Sequence, residues 1–217
     1  MILNKKHFTS LSYFSYTFIF LCIILLTACT FKPTLSKQTI NKITNTEWAI
    51  HKKKLIKLIK FNTRGSFSYI DGYNKIYANF FLQQNNFLHY YLFFSNPLGT
   101  TEFMIYVTPN FTTITDKAGK NYTTTNPEQL IHQLINIKIP IENFSYWLIG
   151  LPINATSFTL NKNGLLKTIQ YIQNKETWNI NYLSYSTKNK LKLPNNIELQ
   201  QSDRYIKLKI HNWDFKL

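Results

Sequence analysis

The sequence predicts a mainly β fold of the α+β class, an antiparallel meander interrupted by a pair of short helices. Three observations predict it. Runs of alternating apolar and polar residues recur along the chain, separated by short turn clusters. One segment, 126–150, replaces that period of two with helical spacing. Hydrophobic residues make up 44% of the 217 and aromatics 16%, with only 6 Gly and 7 Pro, which is enough apolar mass for a core and excludes a disordered or collagen-like chain.

The chain opens with Lys5 and Lys6, then an apolar run over 11–28 that ends Leu26-Thr27-Ala28-Cys29. A basic start, an apolar middle and small residues before a cut site describe an export signal. A membrane-spanning anchor needs about 20 apolar residues, and Ser12, Tyr13 and Ser15 break this run early. Small Thr27 and Ala28 leave the backbone accessible to a peptidase, and the Cys29 thiol can be alkylated by diacylglycerol. The ending is similar to the lipobox of bacterial lipoproteins. We expect residues 1–28 to be a removed signal peptide, 29–45 an acylated N-terminus and flexible tether, and 46–217 a single domain. Thr30 stands where an aspartate signals inner-membrane retention in that class, so the expected address is the outer membrane, periplasmic face. Cys22 leaves with the signal, so no disulfide framework is available.

The elements follow in order. Trp48, Leu55, Ile56 and Ile59 form one stripe of a helix over 46–59, with Lys52, Lys53, Lys54 and Lys57 on its solvated side. Strands are expected over 64–70, 75–82, 87–94, 101–107 and 111–115, with turns at Asp71-Gly72, Asn85-Asn86 and Pro109-Asn110. Asn126-Pro127-Glu128-Gln129 supplies a cap residue and a first-turn proline for a helix whose stripe is Leu130, Ile131, Leu134 and Ile135. After Pro140, Ile141, Phe144, Trp147 and Leu148 repeat the spacing, and Gly150 with Pro152 stops it. Strands resume over 157–160, 165–173, 177–183, 197–201 and 205–213, the first two joined by a hairpin at Asn161-Lys162-Asn163-Gly164.

Alternation assigns faces. Leu88, Tyr90, Leu92 and Phe94 share one, opposite His89; Ile76, Ala78, Phe80 and Leu82 oppose Lys75 and Asn79; Phe103, Ile105 and Val107 oppose Glu102. Two interiors fit these faces. One is an ordinary packed core; the other is a half-closed barrel whose middle stays open to a greasy ligand. Alternation alone does not separate them.

The segments 63–70 (TRGSFSYI), 75–81 (KIYANFF), 95–102 (SNPLGTTE), 147–152 (WLIGLP) and 204–213 (RYIKLKIHNW) resemble, in the same order, the outer-membrane lipoprotein receptor family LolB. The resemblance runs from the lipobox to near the C-terminus. It implies a LolA/LolB-like open antiparallel β-barrel covered by a helical lid over a hydrophobic interior cavity. It further implies a monomer that accepts acylated lipoproteins from a LolA-type periplasmic carrier and inserts them among outer-membrane lipids. On this basis Phe67, Tyr69, Phe80, Leu82, Tyr90, Leu92, Phe94, Phe103, Ile105 and Trp147 are the expected cavity residues. Pro97, Leu98 and Gly99 form the expected membrane-insertion loop, since Asn96-Pro97-Leu98-Gly99 fits a type I turn with a leucine at its tip. Set against the family, the expected cavity faces are richer in aromatics, as at Phe93 and Phe94 where the family favours leucine, and Met104 stands on an outward face where glutamate is common.

Other functions fare poorly. The five histidines show no metal-ligand spacing, no G-x-S-x-G elbow exists, and Gly119-Lys120 lacks the upstream glycine of a phosphate loop, so neither an enzyme nor a bound cofactor, metal or nucleotide is expected. The formal charge of +15 is almost all lysine, with Arg64 and Arg204 the only arginines. Lys, Asn, Ile, Tyr and Phe are enriched together, a mark of AT-rich coding, so the charge is not read as nucleic-acid binding. The competing reading is a non-catalytic structural outer-membrane lipoprotein, which shares the lipobox and lacks a cavity.

Overall fold

Period-two patterning produces a single sheet of eleven antiparallel strands in the computed structural model. The structure describes residues 37–216 apart from 73, 174, 188 and 189, with side chains from residue 44 onward. The export signal, the lipobox and Cys29 lie outside the described residues. No described helix is long and apolar enough to cross a membrane.

Helix α1 spans Lys37–Lys57, and strands β1 (Phe61–Asp71), β2 (Asn74–Asn86), β3 (His89–Ser95), β4 (Thr101–Val107), β5 (Thr112–Asp116) and β6 (Asn121–Thr124) form a first meander. Helices α2 (Pro127–Ile135) and α3 (Ile141–Leu148) follow. A second meander comprises β7 (Ser157–Leu160), β8 (Leu166–Gln173), β9 (Glu176–Tyr185), β10 (Pro194–Gln201) and β11 (Arg204–Phe215). The order across the sheet is β6-β5-β4-β3-β2-β1-β11-β10-β9-β8-β7. The first and last strands therefore pair at its centre, while β6 and β7 are its edges. The sheet is open, not closed.

The β1–β11 seam carries a bulge at Arg64/Gly65. A Cβ at Gly65 would collide with the Lys209 carbonyl oxygen and the Phe80 ring, so only glycine fits where these strands approach.

Three expectations needed correction. Helix α1 begins nine residues before 46, and Leu58, not Ile56 or Ile59, joins Trp48 and Leu55 in the core. Strand β6 was not foreseen. Leu88 does not share the inward face of Tyr90: its N–H donates to Asn86 Oδ1 at 2.9 Å, the chain turns there, and the side chain is exposed.

The helical pair forms as its caps dictate. Asn126 Oδ1 accepts from the Gln129 N–H at 3.2 Å and so caps the helix, while Asn126 Nδ2 donates to the Gln129 side-chain Oε1 at 3.1 Å. Asn136 closes α2 in the left-handed conformation, and Gly150, with φ +85°, ends the turn after α3.

Candidate functional site: a half-filled interior and a protruding loop

The inward faces of β1–β5 and β8–β11 line one concave surface, and the two helices divide it. Helix α3 is a plug. Phe144, Trp147 and Leu148 are buried in the core, and Trp147 meets Tyr171 edge-on at 5.1 Å. Two buried tyrosines fasten α3 from opposite walls. Tyr90 of β3 donates to the Ile141 carbonyl at 2.6 Å, and Tyr182 of β9 donates to the Trp147 carbonyl at 2.7 Å. Desolvation drives both hydroxyls well above the ordinary tyrosine range, so they remain donors.

Helix α2 leaves space beneath it. A cavity of about 660 Å³ lies between α2 and strands β2–β5, within the ~300–1,000 Å³ range of small-ligand pockets. Its walls are Ile76, Ala78, Phe94, Phe103 and Ile114 from the sheet, and Ile131, Leu134, Ile135 and Ile137 from the lid. Polar groups gather at the rim. Asn96 Nδ2 donates to Glu102 Oε1 at 3.0 Å, the Tyr122 hydroxyl donates to Asp116 Oδ2 at 3.2 Å, and Lys120 Nζ stands 4.9 Å over the Tyr122 ring. Amide N–H donation from Lys120, aided by Ala118, holds the Asp116 carboxyl below its ordinary range.

Of the expected cavity residues, Phe94 and Phe103 line this space, their rings stacked at 4.7 Å. Phe67 packs edge-on against Phe94 at 5.0 Å, and Tyr69 donates to Asp71 at 3.1 Å. Phe80, Leu82, Tyr90, Leu92, Ile105 and Trp147 are buried in side-chain packing. Both interiors allowed by alternation are therefore present, filled under α3 and vacant under α2. Phe93 departs from its expected place. It faces outward, against Phe81 at 5.9 Å and Tyr91 at 6.1 Å. The lid side of the cavity was legible only as an ordinary amphipathic stripe, Leu130, Ile131, Leu134 and Ile135.

The lid has a polar latch. Lys138, in the loop between α2 and α3, donates to Glu176 at 3.0 Å. Gln201 donates to the same carboxylate at 2.7 Å, Arg204 to Gln201 at 3.2 Å and Arg204 to Asp71 at 3.4 Å. The chain of bonds links the lid loop to β9, to the β10–β11 turn and to the end of β1.

At the same rim, the β3–β4 loop projects. Leu98 is 93% exposed. Its position is built by Asn96, whose Oδ1 accepts from the Leu98 N–H at 3.0 Å and the Thr100 N–H at 3.1 Å. The Gly99 N–H donates to the Asn96 carbonyl at 2.9 Å, and Gly99 takes φ +88°, a conformation glycine adopts without strain. The loop is thus ordered by backbone and amide bonds, with its one large apolar side chain pointing into solvent.

The family model described as outer membrane lipoprotein LolB matches residues 59–213. Outer-membrane lipoprotein LolB of Photorhabdus laumondii subsp. laumondii is 45% identical over 195 residues, 90% of this chain and 92% of that one. Its counterpart in Yersinia pseudotuberculosis is 38% identical over the full length of both. Two crystal structures share the fold at 8% identity: a LolA superfamily protein from Nitrosomonas europaea, with TM-score 0.54 over 76% of this chain and 93% of that one, and a domain described as a putative outer membrane lipoprotein-sorting protein from Vibrio parahaemolyticus, with TM-score 0.51 over 82% and 93%.

Proposed function

This chain belongs to the LolB family of outer-membrane lipoproteins, and on that premise we propose that it receives acylated lipoproteins from a LolA-type periplasmic carrier and inserts them into the outer membrane. The coarser statement stands on the family itself: the chain is a lipid-anchored outer-membrane lipoprotein of the lipoprotein-localisation system. In the finer reading the signal over 1–28 is removed and Cys29 carries the anchor.

The observation that carries the handover is the vacant apolar space under α2, opening at the rim where Leu98 stands. Each acyl CH₂ moved out of water is worth about 0.8 kcal/mol, so a triacylated cargo does not cross the periplasm unaided. A receptor needs to bury those chains and still release them. Aliphatic and aromatic walls offer area without a fixed ligand shape. Transfer then needs no nucleotide, because it runs downhill from a weaker carrier site to this cavity and on to the bilayer. Leu98 supplies the contact with that bilayer.

The test is transfer of an acylated lipoprotein from purified carrier to this protein, followed by delivery to liposomes. Movement of the cargo to this chain supports the receptor role. Retention on the carrier, with this protein folded, supports instead a structural lipoprotein.

A further inference from the structure

The outer face of the sheet carries a second concavity, of about 510 Å³, that the lid does not cover. Register explains it. Two rows of outward side chains cross the strands from β10 to β2: Asn196, Lys209, Ser66 and Asn79, and beside them Glu198, Lys207, Ser68 and Tyr77. β1 contributes only serines to the middle of both rows, so the floor dips between longer neighbours. Tyr77, 62% exposed, and Pro97 wall one end, and Leu183 of β9, 64% exposed, walls the other.

This groove adjoins the mouth of the acyl cavity. Tyr77 and Ala78 border both spaces, and in the loop between them Asn96 faces the cavity while Pro97 faces the groove. We propose that the groove holds the extended peptide that follows the acylated cysteine of a cargo lipoprotein. The inference rests on the receptor reading above and names where the protein part of the cargo goes once its acyl chains are inside.

The chemistry of the lining suits a peptide. Hydroxyls and amides of Ser66, Ser68, Asn79 and Asn196 can donate to and accept from main-chain groups. Lys207 is already paired with Glu198 at 3.3 Å, whereas among the described residues no carboxylate pairs with Lys209. A site for an anionic headgroup would not set a carboxylate beside its cations. From β9 to β2 there are four strand spacings, about 19 Å, the length of roughly six extended residues.

The experiment uses the full acylated chain in liposomes, with benzoylphenylalanine in place of Leu183 or, as a control on the same outer face, of Tyr106. Carrier loaded with an acylated lipoprotein is added, transfer is scored, and adducts are mapped by mass spectrometry. Expected are an adduct from position 183 to the first roughly six cargo residues after the cysteine, none from position 106, and loss of the 183 adduct when Lys209→Glu and Ser66→Trp are added. Normal transfer with no cargo adduct at 183, or equal adducts at both positions, overturns the groove and leaves the receptor reading intact. An adduct to phospholipid without carrier marks a headgroup site and also overturns it. Failure of the unsubstituted protein to draw cargo from the carrier defeats the receptor reading, and the groove proposal with it.

Discussion

Tyr90 donates its hydroxyl to the carbonyl oxygen of Ile141 at 2.6 Å, joining the start of β3 to the first residue of α3 with both groups out of water. This bond, with its counterpart from Tyr182, fixes one helix and so decides which half of the interior is open. Tyr90→Phe removes the donor and keeps the ring. A loss of about 1–2 kcal/mol is expected in urea unfolding, because the neutral bond is worth about 1 and its acceptor is left poorly satisfied. Unchanged stability would mean that α3 is held by packing alone.

The vacancy under α2 can be closed without touching α3. Ala78 points into it from β2, directly across from Phe67 of β1. Ala78→Trp fills the space that the proposal assigns to acyl chains. The variant is expected to fold with an unfolding midpoint near that of the parent, to lose binding of a fluorescent fatty acid and to stop accepting cargo. Undiminished fatty-acid binding by a folded variant would place the acyl site elsewhere.

Leu98 and Asn96 separate the tip of the loop from its frame. Leu98→Glu changes only an exposed side chain, so capture of cargo from the carrier should persist while delivery to liposomes falls. Asn96→Ala removes the acceptor for the Leu98 and Thr100 amides and the donor to Glu102. It should cost about 1 kcal/mol, as loss of a capping side chain does, and slow delivery while leucine is still present. Equal delivery by all three proteins, measured as cargo floating with the liposomes, would remove the loop from the mechanism.

Much of this architecture is legible in the sequence, and the exceptions have physical causes. β4 and β7 are readable to the residue because period-two alternation is a local property. β6 is not, since Asn121–Thr124 carries a single aromatic, Tyr122, and becomes a strand by pairing with β5. The first nine residues of α1 show no clear apolar stripe. The cavity was only partly readable: alternation says which residues face inward, not what stands opposite them. The two lid stripes have the same spacing but different bulk. Phe144 and Trp147 fill the space they face, whereas Ile131 and Leu134 leave theirs open, and that contrast was the available clue.

The latch between Lys138 and Glu176 should govern opening of the lid more than stability. Both partners are about a third to a half exposed, at 34% and 48%, and such pairs contribute roughly 0–1 kcal/mol. Lys138→Ala is therefore expected to leave the unfolding midpoint almost unchanged. It should speed amide exchange in α2, whose far end it tethers. Exchange that stays at the parent rate would assign lid closure to Ile131 and Ile137 instead.

Two half-buried ionisable groups give stability opposite dependences on pH. Glu128, in the first turn of α2, is pushed from 4.5 up to about 7, first by desolvation and then by Glu142 and Glu176, against the pull of Lys138. Between those values the folded chain keeps a proton that the unfolded chain has released. Its contribution is complete below pH 4.5 and is lost as pH rises through 7. His51, on α1, is held down from 6.5 to about 4 by desolvation and by Lys54 and Lys192, outweighing the Lys192 backbone. The unfolded chain takes up a proton first on acidification, so this contribution is complete above pH 6.5 and is lost as pH falls through 4. Glu128→Gln should accordingly gain stability relative to the parent on going from pH 4.5 to pH 8, and His51→Asn on going from pH 8 to pH 4.5. Each change is about 1–2 kcal/mol after discounting for partial exposure. Urea unfolding at the two pH values checks both, and parallel shifts of variant and parent would show that neither side chain titrates differently in the folded state.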